Sequence, residues 1–293
     1  MPELPEVETI KQDLRKKIIN KKIVEIEVLN KKTIHGNKQA FLRILKGNKI
    51  KSIERVGKLI IFELKDGNNF LFVHLKMTGQ LVYKKGKKVV AGGHSEEWGK
   101  KPQIINELAS FDKYARVIIT FEDNAKLYFN DMRVFGYMKT GDKTARVEII
   151  KGFGVEPFTK GFTLNNFANI FKNRKTSLKA ILLNQKLIAG IGNIYADEIC
   201  FRAGVRPDKK ASNLSKQDLN KLYEAIKYIF KKAIENRGTT FNNYVDSDGN
   251  KGGFTKYLKV YGRGGEACKK CKKILKKIRL VGRGTVFCSY CQR

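Results

Sequence analysis

Two Cys-x2-Cys pairs, Cys268/Cys271 and Cys288/Cys291, stand sixteen residues apart at the end of a 293-residue chain and constrain its fold more than any other feature. That spacing matches a four-thiolate zinc site, in which each knuckle supplies two sulfurs to a tetrahedral ion. A segment this short cannot bury a core of its own, so a bound Zn²⁺ would serve as its staple. Four thiolates leave no open coordination position for water, which makes the expected role structural. Two disulfides are the alternative, one that a reducing compartment disfavours. Cys200, the fifth cysteine, lies in an apolar helical stretch and reads as a small buried hydrophobe.

Charge narrows the partners. The chain has 60 Lys+Arg against 28 Asp+Glu, a formal net charge of +32. Counterion release makes each neutralised phosphate favourable, so nucleic acid is the first expectation and an acidic membrane surface the second. A compositionally biased genome could account for part of the excess. With 42% hydrophobic residues the chain can build one or two cores. No run reaches the ~18 apolar residues of a membrane span, and the start is acidic where a signal peptide is basic. A soluble, intracellular protein is expected. Membrane binding by charge alone lacks an amphipathic basic helix with bulky aromatics.

The hydrophobic period changes along the chain. Val7, Ile10, Leu14 and Ile18 fall at helical spacing behind Pro5, a residue suited to a first turn. Strand-like runs follow over 23–29, 50–56, 59–64, 70–75, 116–122 and 126–130, with turns such as Lys65-Asp66-Gly67-Asn68. They predict a two-sheet β-domain behind one helix. The Lys- and Gly-rich stretch 84–103 lacks periodicity and reads as a mobile surface insertion. After Gly152 the pattern turns helical, over 163–171, 177–183, 193–203 and 215–235. Ala189-Gly190-Ile191-Gly192-Asn193 forms a tight turn into one of these helices, with Asn193 as a good N-cap. Free N–H groups there suit an anion, although a Gly-x-Gly turn by itself is more often a plain structural turn.

The chain starts Met1-Pro2-Glu3. Removal of Met1 would expose the secondary amine of Pro2 beside a carboxylate. An α-amine titrates near ~7.7 to 8.0, against ~10.4 for lysine, so much of it is unprotonated at neutral pH. Attack on an electron-poor carbon such as C1′ of a sugar would give an iminium, the electron sink of amine catalysis. A frayed terminus is the plain alternative.

Three separated segments agree with one family. Pro2-Glu3-Leu4-Pro5-Glu6-Val7-Glu8-Thr9, Ala189 through Glu198, and Gly282-Arg283-Gly284-Thr285-Val286-Phe287-Cys288 with Cys291-Gln292 resemble the bacterial formamidopyrimidine-DNA glycosylases from end to end, least well over 84–103. Leu4, where the endonuclease VIII group typically has Gly, favours the oxidised-purine branch. The resemblance implies an α+β multidomain protein: a catalytic β-sandwich with a leading helix (1–150), a helix-two-turn-helix DNA-binding domain (151–263) and a four-cysteine zinc-finger hairpin (264–293), with DNA held in a cleft between the halves. It implies excision of 8-oxoguanine and formamidopyrimidines from duplex DNA, strand cleavage at the resulting abasic site by β,δ-elimination, a monomer, and a cytoplasmic, nucleoid-associated location.

By the same resemblance Pro2 attacks C1′, Glu3 handles protons during ring opening, Lys58 binds phosphate and moves protons in elimination, and Arg283 grips the phosphates flanking the lesion. Reaching C1′ requires extruding the base, which costs a few kcal/mol and leaves a hole to fill. His74 through Gly79 and Asp131 through Gly136 resemble the two segments that do so, with Met77, Arg133 and Phe135 as the wedge and His74 among the DNA contacts. Val134 stands where arginine is usual, and Tyr114, among the expected DNA contacts, aligns with a histidine. Lys175 and Asn193 match phosphate-holding residues of the helical domain. Gly238 through Gly253 resembles the loop that closes over the everted base. Two rivals remain: an endonuclease VIII-like preference for oxidised pyrimidines, and a non-catalytic zinc protein that binds damaged DNA.

Overall fold

A computed structural model describes residues 1–86, 88–93, 113–239 and 253–293, the strand 88–93 by its backbone alone. The chain divides into two compact units: Met1–Ile150 with Asn236–Thr255, and Lys151–Glu235 with Lys256–Arg293.

The first unit opens with helix α1 (Leu4–Ile18), which buries Leu4, Val7, Ile10, Leu14 and Ile18 along one face. Each such side chain contributes roughly 1.5–3 kcal/mol on burial. A second helix, α2 (Lys38–Leu45), is capped by the Asn37 side chain. Among the described residues of this unit nine strands form two antiparallel sheets. Strands β1 (Ile23–Val28), β5 (Gly79–Lys85), β6 (Lys88–Gly93), β7 (Ala115–Phe121) and β8 (Lys126–Asp131) take the order β1-β7-β8-β5-β6. The other sheet runs β2 (Ile50–Val56), β3 (Leu59–Leu64), β4 (Asn69–His74) and β9 (Tyr137–Asp142). Alternate residues of both sheets, among them Ile60, Phe62, Leu71 and Val73 on one side and Leu81, Val117, Ile119 and Phe129 on the other, share a single core with α1. The result is the β-sandwich expected from the periodicity.

One expectation changes. Lys84 and Lys85 belong to β5, and 88–93 pairs with it as β6, so the stretch read as an insertion starts as a hairpin. Its remainder from residue 94 lies outside the described residues.

Helix α3 (Lys143–Lys151), which buries no residue, precedes the helical region. The second unit then builds α4 (Leu164–Phe171), α5 (Leu178–Leu183), α6 (Asn193–Ala203) and α7 (Lys216–Glu235). Thr163 and Ser177 cap α4 and α5 through their hydroxyls. Gly204, in the left-handed region at φ 71°, closes α6. The unit ends in a two-stranded hairpin, β10 (Lys276–Leu280) and β11 (Arg283–Phe287). Its two-residue turn, Val281-Gly282, has φ values of 51° and 69°, the signs a type I′ turn requires.

Candidate active site and nucleic-acid interface

Pro2 and Glu3 are buried at the start of α1, and Glu3 is its N-cap, only 2% exposed. The Glu6 carboxylate fixes this turn. Its Oε2 accepts the Glu3 N–H at 2.9 Å, and its Oε1 accepts the Thr239 N–H at 2.7 Å and the Thr239 hydroxyl at 3.0 Å. Gly238 has φ 81°, and a Cβ there would come within 2.6 Å of Glu6 Oε1, so the segment approaches as only glycine can. Arg237 pairs with Asp13 at 2.5 Å, about two turns further along the same face of the helix. Of the loop expected to close over an everted base, residues 240–252 lie outside the described residues.

Lys58 sits in the two-residue turn joining β2 to β3, after Gly57 at φ 57°. A lysine in a turn between strands is usually a solvated group, yet Lys58 is only 5% exposed. Arg55 ties this turn to α1: Nε donates to Glu8 Oε2 at 3.0 Å and Nη1 to the Gly57 carbonyl at 3.0 Å. Burial would raise the Glu8 carboxyl, but Lys11 and Arg55 outweigh it and hold it below its ordinary value. Neither Arg55 nor Glu6 emerged as a functional residue from the sequence, since their partners lie 47 and 233 residues away.

His74 ends β4 in register with Leu59, the residue after Lys58. Burial, reinforced by the Lys76 and Lys58 ammonium groups, depresses its imidazole to about 3. Nδ1 accepts the Lys76 N–H at 3.0 Å, so the single proton of the neutral ring sits on Nε2, a donor suited to a phosphate oxygen. Tyr137 flanks it at 5.7 Å and stacks on His35 at 4.2 Å.

The two turns expected to supply the wedge meet. The Arg133 N–H donates to Thr78 Oγ1 at 3.2 Å, which joins the Met77 turn to the turn carrying Phe135. Met77 is half-buried, whereas Arg133 is exposed and Phe135 is 51% exposed. The Arg133 guanidinium lies over the Phe135 ring at 4.6 Å. An exposed aromatic under a cation, on a tight turn, fits insertion into a base stack better than core packing. Tyr114, half-buried, precedes β7 and accepts the Asp131 N–H through its carbonyl at 3.0 Å.

In the second unit Lys175 is exposed ahead of α5. Gly192, not Asn193, is the N-cap of α6, and Asn193 is the first helical residue. Its side chain is drawn elsewhere: Nδ2 donates to the Gly284 carbonyl at 3.1 Å, next to the exposed Arg283. Beneath them lies an ion pair with both side chains fully buried, Lys179 Nζ to Asp197 Oδ1 at 2.6 Å. Lys179 also donates to Thr285 Oγ1 at 2.8 Å and the Gly284 carbonyl at 3.3 Å, and Asp197 Oδ2 accepts the Val286 N–H at 3.0 Å. Burial pushes Asp197 up to about 6 against the pull of Lys179. Glu198, also raised by burial, accepts the N–H groups of Lys259, Val260 and Tyr261 within 3.0 Å. Asp197 thus seats the hairpin that carries Arg283, and its neighbour Glu198 seats the segment 259–261.

The sulfurs of Cys268, Cys271, Cys288 and Cys291 all lie within 4.8 Å of one another. Zinc–thiolate bonds of about 2.3 Å in a tetrahedron put sulfurs about 3.8 Å apart, so the cluster fits one such ion. Backbone N–H groups point at it, Lys270 to Cys268 Sγ and Cys291 to Cys288 Sγ, each at 3.4 Å. Despite burial, the backbone N–H groups of Cys271 and Lys270 hold the Cys268 thiol down to about 7. Cys291 is pushed up to about 12 by burial and its sulfur neighbours. Four thiols this close offer one metal ion a full set of ligands, and binding it would release their protons.

The model of the formamidopyrimidine-DNA glycosylase N-terminal domain matches residues 1–138, and that of the formamidopyrimidine-DNA glycosylase H2TH domain matches residues 153–244. The chain belongs to the formamidopyrimidine-DNA glycosylase family. Formamidopyrimidine-DNA glycosylases of Desulfitobacterium hafniense and Listeria innocua are 39% and 38% identical to it, each covered over 100% of both chains. Among solved structures, a Lactococcus lactis Fpg variant in complex with Fapy-dG containing DNA matches with TM-score 0.84 and 30% identity over 100% of both chains. The Lactococcus lactis Fpg in complex with abasic-site DNA matches with TM-score 0.83 and 29% identity over 99% of both. No described helix is long and apolar enough to cross a membrane.

Proposed function

We propose that this protein is a bifunctional DNA glycosylase and abasic-site lyase that removes oxidised purines, 8-oxoguanine and formamidopyrimidines, from duplex DNA. The observation that carries the reading is the start of α1, where Pro2 and Glu3 are buried beside one another and the Glu6 carboxylate holds the Glu3 N–H at 2.9 Å. Once Met1 is removed, the Pro2 nitrogen bonds to C1′ as the bond from C1′ to the base breaks, and the departing base takes a proton. Glu3 is assigned proton transfer to the opening sugar ring. The iminium then acidifies C2′, whose deprotonation expels the 3′ phosphate; loss of a second proton, from C4′ of the conjugated iminium so formed, expels the 5′ phosphate. Lys58 is assigned to phosphate binding and these proton transfers, and Arg283 to the flanking phosphates, for which a planar guanidinium gives a bidentate grip.

Met77, Arg133 and Phe135 fill the space the base vacates, with Arg133 facing the orphaned partner. His74 through Nε2, with Tyr114, Lys175 and Asn193, holds the backbone. Cys268, Cys271, Cys288 and Cys291 would hold one Zn²⁺, which when bound supplies a structural cross-link for the Arg283 hairpin.

Borohydride reduction during turnover tests the proposal. An 8-oxoguanine duplex should become covalently attached to the protein, mass spectrometry should place the bond on Pro2, and Pro2→Gly should weaken the adduct. A crosslink on an internal side chain, or none, would contradict it. Faster release of thymine glycol than of 8-oxoguanine would move the substrate to oxidised pyrimidines.

A further inference from the structure

Asp131 is completely buried at the end of β8, a carboxylate at the edge of a sandwich whose core is apolar. Every group meeting its side chain is a donor. Oδ1 accepts the Thr78 hydroxyl and, at 3.1 Å, the Arg133 N–H, while Oδ2 accepts the Gly136 N–H at 2.6 Å. Its main chain extends the network: the Asp131 N–H donates to the Tyr114 carbonyl at 3.0 Å and its carbonyl accepts Arg116 Nε at 2.7 Å. One residue therefore joins the turn bearing Met77, the turn bearing Arg133 and Phe135, and the segment bearing Tyr114.

The turn it holds is strained. Val134 lies between the two N–H groups that bond Asp131 and has φ 55°, a left-handed conformation that a β-branched side chain rarely adopts. Such a conformation persists when its surroundings over-determine it, and here both flanking amides end on the same carboxylate. Gly136 closes the turn with no room for a side chain, since a Cβ would stand 2.8 Å from the Phe129 ring and 3.0 Å from the His74 carbonyl. Arg133, stacked on Phe135, has its amide fixed by the same bracket.

We infer that Asp131, with Thr78, is the positioning residue for base eversion: it sets the Met77 turn and the Arg133–Phe135 turn in mutual register, so that reading the orphaned base depends on a carboxylate that never touches DNA. The inference rests on the function proposed above. An amide at this position cannot serve all three donors, because its NH₂ must face one of them.

Asp131→Asn, Thr78→Val and Thr78→Ser separate this role from folding. Single-turnover excision of 8-oxoguanine opposite cytosine should fall about tenfold or more in Asp131→Asn and Thr78→Val. Arg133, by hydrogen-bonding the orphaned base, should favour cytosine over adenine as partner; that preference should shrink with the rate, and Thr78→Ser should restore both to within about threefold. Borohydride trapping on a single-stranded abasic oligonucleotide, where no base stack needs wedging, should fall less than about threefold. Parallel loss on both substrates, an unchanged partner preference, or no loss on the duplex would each overturn the bracket. Thr78→Val decides the matter if Asp131→Asn fails to fold. If the unaltered protein forms no adduct on either substrate, the function itself falls, and the bracket with it.

Discussion

The two units hold their candidate site residues by opposite means. In the first, a core shared by two sheets and α1 makes the scaffold, and buried carboxylates at its edge, Glu6 and Asp131, aim the reactive segments with hydrogen bonds. In the second, the Arg283 hairpin has a small apolar cluster around Val260, Leu275 and Val286, and its cohesion comes from thiols and from charges buried under it. A large core lets polar groups specialise in positioning. A small one makes them part of the fold, so their removal should be felt as lost structure before lost chemistry.

The largest test is chelation. Apparent zinc binding of about 10–16 kcal/mol in small domains is folding energy, so a zinc-stripped protein should lose DNA affinity by more than about 100-fold. Hydrogen exchange should show β10 and β11 unprotected while β2 through β4 keep their protection. Tight DNA binding without metal would break the contrast.

Next comes Lys179→Met, which strands the Asp197 carboxylate and should cost about 3–5 kcal/mol in denaturant unfolding of the second unit. Lys179→Met with Asp197→Leu should recover much of that loss, because a buried pair is costly mainly when halved.

The pH response is smaller and has opposite signs. Asp197 is raised in the fold from 3.8 to about 6, so its contribution is complete below the unfolded value and lost as pH rises through 6. Compared with Asp197→Asn, the native chain should gain stability between pH 7 and pH 4. Asp66 in the first unit is held low: burial opposes this, but donors from Asn69, Asn68 and Asn48 prevail. Its contribution is present above the unfolded value and lost on acidification, so relative to Asp66→Asn the native chain should lose stability below about pH 4. Equal slopes in the two comparisons would erase the distinction. The smallest effect belongs to Val134→Gly. Removing the strained side chain and adding chain entropy nearly cancel, so unfolding should shift by no more than about 1 kcal/mol.

Sequence pattern revealed the sandwich because β2, β3, β7 and β8 alternate or run apolar between clear turns, and it revealed α4, α5 and α7 because Thr163, Ser177 and Ser215 mark their starts, and α6 because a Gly-x-Gly turn precedes it. Strands β5, β6 and β9 escaped it. Lysines and glycines carry much of their length, and their pairing partners, not their own residues, make them strands. The four cysteines were legible because ligand spacing is local. Glu6, Arg55, Asp131 and Lys179 were not, since a carboxylate's value here lies in donors brought from 53 to 233 residues away, and a lysine or arginine in a chain of this charge gives no sign of being buried. Asn193 shows the converse. Its type suits a cap, and only the nearby Gly284 carbonyl explains why the side chain turns away.

Cys200 gives this chain a built-in silent reference. It is fully buried in α6, and its thiol is pushed far above the ordinary range by burial, with Asp197 adding to the effect. An alkylating reagent applied to the folded protein should therefore pass it by and count only the hairpin sulfurs. Intact mass after brief labelling then reports metal occupancy molecule by molecule, with unmodified chains loaded and fourfold-modified chains empty.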